Sequence, residues 1–472
     1  MTVLDYFKEM CAIPHGSGNT AAVSGWLVDF AKQHELRHIQ DEIGNVVIYK
    51  SGSAGKENDE PVILQAHMDM VCVKENWVEK DFLTEAVDLE SDGEWLWAKG
   101  TSLGADDGIG AAMILSVLSD DSLAHPPIEA IFTVDEETGM DGARVLDLSI
   151  ISGKRMINLD HGLDGSITVG CAGGVNAICF VPCVREPLAD DDVCYKVSIT
   201  GLLGGHSGGK IHEGRANASR LLARLLYGLS LKMKLKVCEF NGGTAHNVIP
   251  SSAAAVVAVP KASTADFERL AGKHEKLFKL ETPIEKNLTL SFEQCDKPEN
   301  GVTAGESKKL CRMLSSLPDG MRKKMEGFEN LARQSSNIGV VRLEKDGLHL
   351  TSFIRSPYEE ERQEIADLFL EIVQHDGGRV EYADPFPGWE YRKDSKLRET
   401  AERLFREKHG KEPIIEMTHG GLEIGFFAEK IAGFDCIAMG PTMTDIHSTS
   451  EKLNLKSTED TYEWLKEILA AI

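Results

Sequence analysis

"VILQAHMDMV", residues 62–71, has the make-up of a strand covered on both faces, yet it carries His67 and Asp69. Val62, Ile63, Leu64, Ala66, Met68, Met70 and Val71 suit the near-continuous apolar run of a buried parallel strand. His67 and Asp69 stand two residues apart, so on a strand they point to the same side. A buried aspartate costs several kcal/mol, on the order of 2–7, unless it is paired or bound to a cation. A His–Asp pair satisfied within a core would explain this segment taken alone. The rest of the chain decides between the two readings.

Outward from this strand, residues 1–173 alternate helical and strand patterns. "TAAVSGWLVDFAKQHEL" has helical spacing, "GNVVIYK" reads as a strand, "AAMILSVLSD" as a helix, and "PIEAIFTV" and "KRMINL" as strands. Such alternation predicts an α/β domain with a mostly parallel sheet flanked by helices. Glycines cluster in "VGCAGGV" (169–175), and "YADPFPGWEY" (382–391) is rich in proline and aromatics. Beyond the second break the alternation resumes with the helix "SKLRETAERLFREKHG", the buried strand "CIAMG" and a terminal helix from about Thr458. The expected organisation is a discontinuous domain, 1–173 and 386–472, interrupted by an insert, 174–385. Within the insert, strand-then-helix units near 193–227, 252–280, 287–316 and 348–375 predict one or two α+β modules on an antiparallel sheet.

The 472 residues are 42% apolar and 27% charged, as in an ordinary globular protein. The net charge of −24 argues against a nucleic-acid or anionic-membrane partner. Ten cysteines, with no CxxC pair, suit buried thiols in a reducing compartment better than a disulfide framework. "MTVLDYFKEMCAIPHGSG" lacks the basic and apolar regions of a leader, and no run of about 18 apolar residues occurs. The expectation is a cytoplasmic protein.

The apolar runs share one peculiarity. "AIFTVDEETGM" finishes with Asp135, Glu136 and Glu137, "MINLDHG" with Asp160 and His161, and "CIAMGPTMTDIHSTSE" leads into Asp445 and His447. Asp106 and Asp107 sit in the glycine-rich turn of "GTSLGADDGIGAAMILSV", just before a helix. In open parallel sheets, ligands bind outside the carboxyl ends of the strands. Converging carboxylates repel one another unless a cation neutralises them, and imidazole with carboxylate is a ligand set for Zn²⁺, or for Mn²⁺ or Co²⁺ where oxygens dominate. Two imidazoles and at least three acids exceed the needs of one tetrahedral ion. They suit two ions about 3.5–4 Å apart sharing a carboxylate. Of the adjacent Glu136 and Glu137, one can bind metal while the other remains a base for the attacking water.

These segments resemble a known family, the zinc-dependent peptidases and deacylases that include carnosinase, aminoacylase and glutamate carboxypeptidase, and within it most closely the aminoacyl-histidine (Xaa-His) dipeptidases. The resemblance runs through "QAHMDMVCVKEN", "GTSLGADDGIGAAM", "HPPIEAIFTVDEETGMDGA", "INLD", "VGCAGG", "GGHSGGKIHEGRANA", "GGTAHNVIP", and "THGGLEIGFF" with "DIHSTSE". It implies two Zn²⁺ per chain, with His67 and Asp160 on one ion, Glu137 and His447 on the other, and Asp106 bridging. Asp69 would orient His67, and Glu136 would be the general base. His206 would help stabilise the oxyanion, with Asn247, Arg355 and Gly421 binding substrate. A cis peptide at Asp106–Asp107 and an insert acting as lid and dimerisation domain are also implied.

Independently of the resemblance, "GGHSGGKIHEGRANA" is a glycine-rich loop entering a helix, so its N–H groups with Lys210 or Arg215 can meet an anion. Arg355 ends the strand "LHLTSFIR", where a guanidinium can grip a carboxylate. The expected activity is hydrolysis of small dipeptides, carnosine-like Xaa-His substrates first. A broader di- or tripeptidase or an N-acyl amino acid deacylase is the alternative within the family. A catalytically dead metal-binding scaffold and a two-metal phosphoesterase are the alternatives outside it. A homodimer through the insert is expected, or a monomer whose insert supplies both halves of the lid.

Overall fold

The computed structural model describes residues 1–472, which divide into two compact units. The first comprises Met1–Gly170, Trp389–Met417 and Leu422–Ile472, and the second comprises Cys171–Gly388 and Thr418–Gly421. The chain thus crosses between units at Gly170/Cys171 and Gly388/Trp389, and again at Met417/Thr418 and Gly421/Leu422. Nothing in the sequence pattern singles out Thr418–Gly421 as part of the inserted unit.

The first unit is built on an eight-stranded sheet in the order Arg37–Gln40, Val46–Lys50, Ile128–Thr133, Val62–His67, Arg155–Asn158, Asp435–Ala438, Ser166–Cys171, Ile414–Thr418. Ile128–Thr133, Val62–His67, Arg155–Asn158 and Asp435–Ala438 run parallel at its centre. All six residues of Val62–His67 are buried, as are all six of Ile128–Thr133, which is why these segments read as unbroken apolar runs. The mostly parallel sheet expected from the alternation is present, with antiparallel strands outside it. Arg37–Gln40 and Val46–Lys50 are joined by a short connection, and a hairpin can only be antiparallel. Because the central strands are parallel, their carboxyl ends share one edge, and the residues that follow them emerge there.

In the second unit the strand order is Thr289–Gln294, Asp192–Thr200, Ala253–Pro260, Lys236–Gly242, Ala332–Leu343, Gly347–Ser356, Gly173–Pro182, Arg379–Phe386, with Gly320–Lys324 also paired to Ala332–Leu343. Every pairing is antiparallel. The unit resolves into two β-α-β-β-α-β halves. One consists of Asp192–Thr200, helix Ala218–Ser230, Lys236–Gly242, Ala253–Pro260, helix Thr264–Glu281 and Thr289–Gln294. The other consists of Gly173–Pro182, helix Ala304–Ser316, Ala332–Leu343, Gly347–Ser356, helix Glu359–His375 and Arg379–Phe386. The first half is inserted after the first strand of the second, and the two sheets join where Asn241 and Gly242 pair with Arg342 and Val341. The segment 287–316, which reads in sequence as one strand–helix unit, is therefore divided between the halves. Tyr195, Val197 and Ile199 alternate inward on Asp192–Thr200 to meet Leu222, Leu225 and Leu226 in one apolar core.

Candidate active site

At the carboxyl edge of the parallel sheet, two sets of three metal-ligating side chains share one residue. His67, Asp106 and Asp160 form the first and Asp106, Glu137 and His447 the second, each with its ligand atoms within 4.8 Å of one another. Asp106 faces both ways. Its Oδ1 lies 3.1 Å from His67 Nε2 and its Oδ2 lies 3.1 Å from His447 Nε2. Glu137 Oε1 lies 2.7 Å from His447 Nε2. Asp106 follows Gly104, which sits in the left-handed region at φ 75°, and Asp106 itself is non-helical although the helix Ala105–Ser119 begins around it. The Asp106–Asp107 peptide is cis, the form the resemblance implies.

The strand end fixes the imidazole of His67. Its Nδ1 donates to the main-chain oxygen of Asp69 at 3.0 Å, which turns Nε2 toward Asp106 as the nitrogen a cation would take in place of a proton. The Asp69 carboxylate is farther from that ring, 3.4 Å from Nδ1. It accepts from the N–H groups of Glu136 at 3.0 Å and Glu137 at 3.3 Å, and from the Ser17 hydroxyl at 2.7 Å. Asp69 therefore organises the turn that presents both glutamates as well as the histidine. Glu136 joins His67 and Glu137 in a further close group, but in neither set that contains Asp106.

Electrostatics favour a cation here. Burial first, and then the Asp106 charge, push the Asp160 carboxyl well above its ordinary value. Burial also raises Asp106, but hydrogen bonds from His447 and His67 outweigh it and hold that carboxyl low. The carboxylates of Asp106 and Glu137 lift His447 to about 10. A field that draws protons this strongly onto imidazole draws a divalent cation equally well, and two nitrogens with three carboxylates form a donor set that Zn²⁺ accepts.

His206, Asn247, Arg355 and Gly421 all belong to the second unit. His206 pairs with Val248 in a two-residue ladder, next to Asn247. The Gly209 N–H donates to His206 Nδ1 at 3.2 Å. Partial desolvation of the ring, then the charges of Arg355 and His246, lower the His206 pKa, and because Nδ1 accepts from Gly209 the proton of the neutral ring sits on Nε2. Arg355 is buried, lies 4.1 Å over the Phe353 ring and donates to the His419 carbonyl at 3.2 Å. Burial lowers its guanidinium to about 10, still cationic at neutral pH. Gly421 is close to the Phe386 ring, where an added Cβ would come within 2.6 Å.

The matched family is peptidase family M20/M25/M40, over residues 63–471. This chain belongs to that family. It is accordingly a hydrolase of peptide bonds. It is 34% identical over 473 residues to the cytosol non-specific dipeptidase of Escherichia coli (strain K12), covering 99% of this chain and 97% of that protein. Among solved structures, the aminoacylhistidine dipeptidase of Vibrio alginolyticus aligns at a TM-score of 0.94 and 31% identity, covering 100% of this chain and 96% of that one. The aminopeptidase PepT of Bacillus cereus ATCC 10987, with a TM-score of 0.57 and 17% identity over 99% of this chain and 97% of that one, shares the fold.

Two parts of the family member's site escape sequence reading. Beneath the ligands runs a buried polar chain: Asn158 donates to Gln65 at 2.6 Å, and Gln65 and Thr133 donate to Glu423 at 2.8 and 2.6 Å. Burial raises the Glu423 carboxyl to about 7. Gln65 stands two residues before His67, the one local sign that its side chain shares the histidine's side of the strand. The other is Glu451, in the same segment as His447, whose contacts are described below. No helix is long and apolar enough to cross a membrane.

Proposed function

We propose that this chain is a cytoplasmic two-zinc dipeptidase that prefers carnosine-like Xaa-His substrates, with Mn²⁺ or Co²⁺ as possible substitutes for Zn²⁺. The observation that carries this reading is Asp106, one carboxylate with each oxygen turned to a different imidazole. His67 and Asp160 would hold one cation and Glu137 and His447 the other, with Asp106 shared, and the bound cations would supply Lewis acidity for the attacking water and the scissile carbonyl. Glu136 takes a proton from that water onto its carboxylate and passes it to the leaving amine. Asp69 holds the main chain of Glu136 while it does so. His206 Nε2–H is free to donate to the oxyanion because Nδ1 already accepts from Gly209. The Arg355 guanidinium grips the terminal carboxylate, which selects short peptides, and Asn247 and Gly421 line the substrate.

The cytoplasmic assignment draws on the similarity to the cytosol non-specific dipeptidase of Escherichia coli. The doubled second unit favours a lid made wholly within one chain, against a homodimer through that unit, and light scattering on the purified protein separates the two. Metal content with peptide profiling tests the activity itself. The expected result is two cations per chain and hydrolysis of Xaa-His dipeptides ahead of tripeptides and N-acyl amino acids. Preference for either of the latter would overturn the dipeptidase reading. A flat profile across dipeptides would remove only the histidine preference.

A further inference from the structure

Glu451 belongs to neither ligand set, yet its carboxylate is buried at their margin, 3% exposed. It accepts three consecutive main-chain N–H groups. Oε2 takes those of Leu103 at 2.9 Å and Gly104 at 3.3 Å, and Oε1 takes that of Ala105 at 2.9 Å. Gly104 is the residue before the helix Ala105–Ser119 and has no side chain to cap it, so Glu451 supplies the acceptor from elsewhere in the chain. Asp106 directly follows Ala105, the last of the three amides. Glu451 also lies four residues after His447, at the end of a segment in which Asp445 and His447 both have positive φ, 52° and 63°. One carboxylate therefore ties the loop that presents Asp106 to the loop that presents His447.

We infer that Glu451 is a positioning residue that sets the spacing of Asp106 and His447, and thereby the affinity of the Asp106, Glu137 and His447 set for its divalent cation. A plain helix cap would make the same hydrogen bonds but would behave differently. A cap stabilises the fold whether or not a cation is present. A positioning residue acts on the cation, because the spacing between Asp106 and His447 matters only when something must be held by both. Charge-assisted bonds to three adjacent amides are well suited to this, being short and directional.

The inference rests on the two-cation reading. Glu451→Gln keeps the side chain's size, but its amide oxygen can serve only part of the three N–H groups and its NH₂ would face the remainder. Two measurements on purified protein decide the matter: Zn²⁺ affinity by competition with a chromophoric chelator, and thermal unfolding of the chelator-stripped protein followed by circular dichroism. In E451Q one of the two sites is expected to weaken at least about tenfold, the other less, while the stripped protein melts within a few degrees of the parent. E451D, which keeps the charge but draws it back by one methylene, is expected to lose less at the same site. Unchanged Zn²⁺ affinity in E451Q overturns the inference. So does a stripped E451Q that fails to fold or is destabilised as much as the loaded form, since Glu451 would then be a structural cap. A parent protein holding fewer than two cations would instead sink the two-cation reading itself.

Discussion

The two units carry their candidate residues in different ways. In the first, the candidates His67, Asp160, Glu136 and Glu137 end or closely follow buried parallel strands whose carboxyl ends share an edge, while Asp106 opens the helix Ala105–Ser119 and His447 sits in a turn beyond Asp435–Ala438. In the second, His206 sits on a two-residue ladder and Arg355 near the end of a long antiparallel strand, with Gly421 in a segment far away in sequence. Groups rooted in a stiff sheet can hold a cation at fixed spacing. Groups on short ladders and loops are suited to meeting a substrate. The contrast predicts that loss of an assigned ligand in the first unit removes cations, whereas damage to the candidate residues of the second unit does not.

Asp106→Ala probes the extreme case. The shared carboxylate disappears, so neither set keeps its ligands, and both turnover and the second cation should be lost. Metal analysis that still found two cations per chain would rule out a shared ligand. Glu136→Gln should be nearly as damaging to turnover, by about 10²–10⁴ in rate, the usual scale for a general base. It should, however, keep both cations. Loss of metal together with activity in that variant would mean that Glu136 and Glu137 have each other's roles.

His206→Ala carries the comparison into the second unit. His206 is exposed and its one close polar contact is with the Gly209 amide, so fold and metal content should be untouched. Its kcat should fall by about 10²–10³, the scale for removal of one oxyanion donor, with KM changing less. A normal kcat with metal intact would reduce His206 to a loop histidine.

This contrast also explains what could be read beforehand. The first unit's chemistry is local, since an apolar run that ends in an acid or a histidine is visible in any ten residues, as "VILQAHMDMV" and "MINLDHG" illustrate. The alternation of strands and helices made its parallel sheet legible for the same reason. The pieces that escaped are long-range. Gln65 looks like one polar residue in an apolar run until Glu423, from the far end of the chain, is packed against it. Glu451 looks like a surface acid until three amides from residues 103–105 close on it. The pairing of Lys236–Gly242 with Ala332–Leu343, which joins the halves of the second unit, involves only a short register and leaves no periodic trace. What the sequence lacked in each case was a partner about a hundred or more residues away.

That same join offers the mildest test, one directed at stability rather than chemistry. Arg342 is half-buried where the two halves of the second unit meet, and it donates to the carbonyls of Gly242, Gly243 and Val341 at 2.7–2.8 Å. Two of those carbonyls belong to the other half, and Gly243, at φ 69°, lies just beyond the end of the strand Lys236–Gly242. Arg342→Ala leaves these acceptors to solvent and removes charge-assisted bonds worth on the order of 1.5–3 kcal/mol each in full burial. Water can replace part of them at a half-buried site, so the expected loss is about 1–2 kcal/mol in denaturant unfolding. Both cations should remain, because His67, Asp106, Glu137, Asp160 and His447, the residues assigned to them, all lie in the first unit. Turnover should stay within about twofold of the parent, since Arg342 is assigned no part in the reaction. If unfolding is unaltered, the strand pairing and the shared apolar core hold the two halves together without help from the Arg342 side chain. If metal is lost instead, the independence of the two units on which the comparison rests is wrong.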